Sequence, residues 1–430
     1  MICFSNQITN FNAIPEFCET IVFTEELKEP ISNWPPLCVN IIFTCGSLTQ
    51  LNYLIKLPHG CIVHMNKECL YFDNFSTYSN NDVIHVVKNF DYLIDPQYVN
   101  KSMMTILLWA CLNDMNDLAV SLIETYGEKC NPWQEDFDGK TALSVACKNK
   151  MENVALLLVN TFGEKCNPQQ IDSVGGTALY AACENKMENV ALLLLNTFGE
   201  KCNPPHSNPF KCSTLMLSCL HGMSDVALLL LTNFSEKYNL LECSLPHGTI
   251  LMVVLTNKMS DVATLLITKF GEKCGPAKIN SHTFSTPLMI AISYKLNNIA
   301  LLLISNFGEK CSPWYTDYKK NTALINACKG GLEMTEVALQ LITTYGEKCN
   351  PQQVNSDNKT SLIYACENRM DKVAISLITN FGENCNPLHI DSWKNSALML
   401  ADNNDMFSVV ELINEHIMNI KKNKKSCIVF

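Results

Sequence analysis

From about Lys101 to about Ile420, apolar residues come in paired runs of helical spacing with a polar break between them, and the pair recurs along the chain. The stretch Thr141 to Gln170 shows one unit. Its first run, Ala142 to Lys148, is short and Ala-rich, and Thr141 stands where a hydroxyl can accept a backbone N–H; this predicts a short helix A. After Asn149-Lys150, the residues Met151, Val154, Ala155, Leu157, Leu158 and Phe162 fall on one face of a second helix B. Gly163 is expected to end helix B in the left-handed conformation, and Asn167-Pro168 to start an extended finger leading to the next Thr.

Two ladders in different phases fix the period. GEKC or a close variant begins at Gly127, Gly163, Gly199, Ser235, Gly271, Gly308, Gly346 and Gly382, with successive spacings of 36, 36, 36, 36, 37, 38 and 36. Thr105, Thr141, Thr177, Ser213, Thr249, Thr286, Thr322, Thr360 and Ser396 mark nine copies. Repeat 4 departs with Ser235-Glu-Lys-Tyr238 and Leu245 to Gly248, and repeat 7 has extra residues around Gly330-Gly331-Leu332.

The unit resembles the ankyrin repeat. Asp136-Phe-Asp-Gly139-Lys-Thr141-Ala-Leu143 carries its finger and helix-A pattern, Thr286-Pro287-Leu288 its Thr-Pro-Leu, and Gly222 and Gly331 its inter-helix glycine. The GEKCNP form is also similar to the repeats of large ankyrin families in giant DNA viruses, which would place the chain in a host cytoplasm. The resemblance implies a mainly α helix-pair solenoid and a concave partner face lined by fingers and helix A, on a protein that binds and does not catalyse.

The repeated residues that invite a chemical reading are better explained by packing. Cysteines recur on helix A (Cys111, Cys147, Cys183, Cys219, Cys328, Cys366) and after helix B (Cys130, Cys166, Cys202, Cys274, Cys311, Cys349, Cys385). Stacked helices at about 8–10 Å leave such residues too far apart for disulfides. Met115, Met151, Met187, Met223, Met259, Met370 and Met406 share one phase at the start of helix B, with Leu296 standing in, and read as core. The nine histidines share no phase, and no HExxH, Walker, GxSxG or GxGxxG pattern is present, so neither enzyme nor cofactor is expected. What varies between copies is the finger. Trp133, Phe137, Phe210, Phe284, Trp314, Tyr315, Tyr318 and Trp393 put aromatic rings on it and are the candidate partner-binding residues.

Bulk composition supports a folded array. Of 430 residues, 47% are hydrophobic and 17% charged, enough apolar surface for a continuous core. A net charge of −10 argues against nucleic acid as partner. The chain opens without a basic and apolar leader, Ile2 excludes myristoylation, and no run has membrane-spanning length, so a cytoplasmic monomer is expected.

Both ends leave the repeat pattern. Residues 1–100 are expected to form a small mixed α/β cap, with strands in Cys38 to Cys45, Cys61 to Met65 and Val83 to Val87. Cys61, His64 and Cys69 have loose zinc-ligand spacing and lack a fourth ligand, so a structural role is preferred. Ile14 to Trp34 faintly resembles an F-box, which would make the chain a soluble substrate adaptor of a ubiquitin ligase. After the 101–420 array, residues 421–430 hold Lys421, Lys422, Lys424 and Lys425, followed by Cys427-Ile-Val-Phe430. That ending matches a C-a-a-X prenylation signal on Cys427, and the lysines would supply a second, electrostatic contact with a cytoplasmic membrane.

Overall fold

The computed structural model describes residues 80–202 and 212–426, and among the first 79 only residues 2–4, 18, 20–23, 27, 31, 34, 35, 38, 40–43, 51, 54 and 61–65. The described chain divides into two compact units, Met1–Lys211 and Cys212–Phe430.

In the first unit, β1 (Ile2–Phe4), β2 (Thr20–Phe23), β3 (Asn40–Phe43) and β4 (Ile62–Met65) form a parallel sheet in chain order, with Thr20 beside Asn40 and Asn40 beside Ile62. Alternate side chains point to one face, which buries Ile21, Ile41 and Val63 together with Phe23 and Phe43, whose rings stack at 4.9 Å. Thr20–Phe23 lies inside the F-box-like stretch and is a strand, whereas an F-box is helical. Val83 to Val87, expected as a third strand, is helical: α1 spans Asn80–Asn89. Its β-branched residues misled the propensity reading. Val83, Val86, Val87 and Phe90 are the buried positions, and the steps of three, one and three between them describe a helix face.

The α1 helix packs on the first helix B, α3 (Asn116–Tyr126). Phe90, Ile94 and Pro96 stand 36 residues before Tyr126, Cys130 and Pro132. Repeat-like packing therefore begins at Asn80, ahead of the expected border at residue 100.

Three helix pairs complete the described part of this unit: α2 (Ile106–Leu112) with α3, α4 (Ala142–Lys148) with α5 (Glu152–Phe162), and α6 (Ala178–Glu184) with α7 (Glu188–Phe198). The second unit holds six more: α8 (Thr214–Leu220) with α9 (Ser224–Asn233), α10 (Ile250–Thr256) with α11 (Ser260–Phe270), α12 (Pro287–Ser293) with α13 (Asn297–Phe307), α14 (Ala323–Gly330) with α15 (Thr335–Tyr345), α16 (Ser361–Glu367) with α17 (Asp371–Phe381), and α18 (Ala397–Asn403) with α19 (Phe407–Ser426). The extra residues of repeat 7 lengthen α14 and add a 3-10 turn at Leu332–Met334, and this carries Met334 into the buried methionine phase.

Helix A starts as its sequence requires. The hydroxyls of Thr105, Thr141, Thr177, Ser213, Thr286, Thr322, Thr360 and Ser396 each accept the backbone N–H three residues on. Thr249 is the exception, and its buried hydroxyl has no partner among the described residues. At the other end, the amides of Asn149, Asn185, Asn257, Asn368 and Asn404 donate to the last carbonyls of the preceding helix A, those of Cys111, Cys147, Cys219, Cys328 and Cys366, at 2.8 to 3.2 Å. These asparagines read in the sequence as mere helix breakers. They satisfy carbonyls that a helix terminus leaves open and join five of the copies to the copy before.

Helix B ends differently from the expectation. Gly163 has φ +53° and ψ −129°, outside the left-handed helical region. It opens a 3-10 turn over Gly163–Cys166, and the left-handed residue is Asn167. The same turn follows α3, α13, α15 and α17. Each turn tucks its cysteine into the core, where the thiols of Cys130 and Cys311 donate to Leu122 and Leu303 carbonyls. On the outside, Lys165, Lys201, Lys310 and Lys348 pair with Glu128, Glu164, Glu272 and Glu309 of the copy before. Exposed pairs of this kind contribute little, about 0–1 kcal/mol each. Met418 occupies the glycine position of the ninth copy, and α19 accordingly runs on to Ser426.

The core thiols of the array, such as Cys111, Cys130, Cys219, Cys311 and Cys366, form no disulfide. Burial raises Cys111, Cys130, Cys219, Cys311 and Cys366 to about 12, which leaves them protonated and unreactive. Gly346 lies at φ +52° and ψ −134°, and a Cβ at this position would meet nothing within 4 Å, so Gly346→Ala encounters only backbone strain. The substitution is expected to lower stability by about 1–3 kcal/mol; an unchanged urea midpoint would refute the strain. The thiols give a pH dependence whose sign is fixed: the unfolded chain releases these protons near pH ~8.5 while the folded chain holds them to about 12. Stability is thus full below about pH 8 and falls as pH rises through that window, by up to ~1.4 kcal/mol per pH unit for each thiol. Urea midpoints that agree at about pH 8 and about pH 10 would contradict it.

Candidate protein-binding surface

Each described regular finger turns on one side chain. Asn100, Asp136, Asp172, Asp317, Asn355 and Asp391 stand five residues before the capping Thr or Ser, and Asn280 stands six before Thr286. The Oδ1 atom of each accepts two backbone N–H groups across the tip: Asp138 and Lys140 for Asp136, Lys319 and Asn321 for Asp317, Trp393 and Asn395 for Asp391. The turn needs one residue at positive φ, which is Met103, Gly139 and Gly175 in the first unit and Phe284, Lys320, Asn358 and Lys394 in the second. A side chain there costs roughly 1–2 kcal/mol relative to the right-handed region. Neighbouring tips are also joined, with Ser173 N–H on Asp138 O at 2.7 Å, Ser356 N–H on Lys319 O at 2.9 Å, and the Ser392 hydroxyl on Asp357 O at 3.0 Å. Sequence reading missed this clamp, although Asp or Asn at a fixed offset from the Thr ladder marks it.

On these turns stand four of the eight aromatic candidates. Phe137 is 77% exposed, Tyr318 and Trp393 are each 63% exposed, and Phe284 is exposed as well. Trp133 and Trp314 are exposed but sit on the other arm, just after Pro132 and Pro313. Tyr315 is half-buried, so the Trp314, Tyr315 and Tyr318 cluster does not present one surface. Phe210 lies outside the described residues. Trp314 instead borders a groove of about 590 Å³ floored by Leu241, Pro276 and Ala277. Gly275 lines that groove where most copies have Asn, and a Cβ there would meet Leu241 at 2.8 Å.

Trp393 has an unusual foundation. The Lys359 ammonium lies 5.0 Å from its ring and 5.1 Å from that of Tyr364. Only 9% of the Lys359 side chain is exposed, and it is held by both Glu367 oxygens at 2.7 Å and by the fully buried Asp391 carboxylate at 3.8 Å. Asn355 donates to Asn321 at 2.9 Å and to the Tyr364 hydroxyl at 3.2 Å, and that hydroxyl donates to Asp357. Burial raises the Tyr364 phenol above its ordinary range, which keeps it a donor. A buried cation survives only with such partners. The cluster fixes Trp393 and has no nucleophile or open ligand position.

No other described cluster suits chemistry. Among the described residues no group of three metal-ligating side chains comes together, and no helix is long and apolar enough to cross a membrane. His64 points to the exposed face of β4, away from the core that surrounds Cys38, and Cys69 lies outside the described residues. Cys427 is likewise outside them; the backbone of Lys421, Lys422, Lys424 and Lys425 is the helical end of α19.

Comparison with known proteins agrees with this geometry. The family model for ankyrin repeats (3 copies) matches residues 78–172, 107–206 and 288–389, more than half of the chain together. Solved structures similar in fold include the ankyrin repeat domain of Bcl-3, described as a unique member of the IkappaB protein family, at 19% identity and TM-score 0.38 over 56% of this chain and 99% of that one. The human ASB11 ankyrin repeat domain matches at 17% identity and TM-score 0.37, with the same two coverages. No curated protein sequence matches. With the repeat, its caps and its fingers all in place, the chain belongs to the ankyrin-repeat family.

Proposed function

We propose that the chain is a non-enzymatic scaffold that binds a protein partner through its fingertips and the neighbouring exposed residues of helix A, on the concave side of the array. One observation carries this reading: the tip backbone is clamped in the same way in copy after copy, while the exposed side chains on it differ. Uniform mounting with variable display is what recognition by a rigid surface requires. Trp393 has the ring and the rigid base of a binding hot spot. Once a partner is in hand, Trp393→Ala is expected to weaken it at least about tenfold, and Trp133→Ala to change affinity by less than about threefold. Equal effects measured by calorimetry would sink the assignment to fingertips.

We also propose that a prenyl group on Cys427 and the preceding lysines hold the scaffold at a cytoplasmic membrane. Met418 supports the reading, because the loss of glycine there lets α19 carry the four-lysine segment as one helix up to the residue before Cys427. A single lipid binds a membrane only marginally, and each lysine near an anionic leaflet adds about 1 kcal/mol. A fluorescent fusion is expected to leave the membrane on Cys427→Ser; unchanged localisation would rule out the lipid.

A further inference from the structure

The fingertips of the second unit carry exposed lysines beside their rings. Lys319 and Lys320 stand on one tip and Lys394 on the second tip after it, all exposed and none in an ion pair among the described residues. Lys320 and Lys394 occupy the positive-φ position of the tip turn, which Met103, Gly139 and Gly175 hold in the first unit. Aromatic rings accompany the charges: Tyr318, with the Lys319 ammonium 5.5 Å from its centre, and Trp393. On the tip between them, Lys359 is buried and paired, and the exposed end is Asp357-Asn358.

We propose that this row binds an extended acidic peptide segment whose two carboxylates stand about six residues apart. Such binding rests on the scaffold reading above and adds the chemistry of its partner. The spacing comes from the finger geometry. Each finger is a two-armed turn bonded to its neighbour through Ser356 N–H on Lys319 O and Asn358 Nδ2 on Ile390 O. Arms about 4.8 Å apart make fingers recur every ~9.6 Å, so Lys319–Lys320 and Lys394 lie roughly 19 Å apart. An extended peptide rises about 3.3 Å per residue, which places its carboxylates about six residues apart. The residue midway meets Asp357 and is therefore neutral or basic. Apolar or aromatic side chains beside each carboxylate lie against Tyr318 and Trp393.

The test uses the full chain and a series of synthetic peptides of about fourteen residues in which one Glu pair is moved from a spacing of about three to about nine, read by fluorescence anisotropy. Affinity is expected to peak at about six, to fall at least about tenfold for K319Q/K320Q/K394Q, and to fall further for the Glu triple variant, with melting curves unchanged because these side chains are exposed. Affinity that ignores Glu spacing, or survives both triple variants, overturns the proposal, as does tighter binding of an unstructured oligothymidylate than of any peptide. Hydrogen exchange of the peptide complex separates this from the broader reading. Protection at the tips without charge dependence would remove only the acidic chemistry, and protection confined to the outer 3-10 turns would remove the fingertip scaffold itself.

Discussion

A helix pair of this size cannot bury its own apolar face, and everything regular in the molecule follows from that constraint. Leu143, Ala146 and Cys147 of helix A are fully buried only because helices of adjacent copies lie against them. Repetition then acts on every other choice. Thr or Ser caps helix A in eight of the nine copies, because an open N–H there would be buried by the next copy. In five copies the Asn that follows helix A takes up carbonyls of the preceding helix A that would otherwise be stranded. Cys ends the 3-10 turn in seven copies, where it is buried. Thiols held near 12 by burial are the visible trace of that packing, which leaves these core cysteines of the array protonated.

Periodicity made most of this legible in the sequence. Nine copies, both helices, the Thr caps and the methionine phase could be read because each recurs at a fixed offset. Three things could not. Val83 to Val87 looked like a strand, since β-branched residues carry strand propensity and a five-residue window cannot separate a buried strand from a helix face. The inter-copy role of Asn149 and its equivalents depends on a partner some 38 residues away, and no local pattern reveals it. Gly163 was read through the commonest helix ending, whereas the backbone uses the glycine-only region to start another turn.

The candidate surface was legible in part for the same reason. Finger aromatics stood out as departures from the repeat, and Phe137, Tyr318 and Trp393 are indeed exposed. Sequence could not tell which arm of the finger each ring sits on, so Trp133 and Trp314 were grouped with residues from which the turn separates them. Nor could it show that Lys359, unremarkable in a lysine-containing tip, is buried beneath Trp393 and tied to Glu367 and Asp391.

The fingers show why variation is tolerated there and nowhere else. A tip closed by one Asx side chain and two backbone N–H groups leaves the side chains between them without a packing duty. Within helix A or helix B, a change of one methylene is felt by two neighbouring copies. At the tip it is felt by solvent, and by whatever binds. In the first unit, Gly139 and Gly175 at the positive-φ position relax the turn and display nothing from it, while Met103 holds the same position with an exposed side chain. The second unit places Phe284, Lys320 and Lys394 there, accepting backbone strain for display. Where a side chain and not glycine holds that position, the strain falls on the surface where a partner would be met.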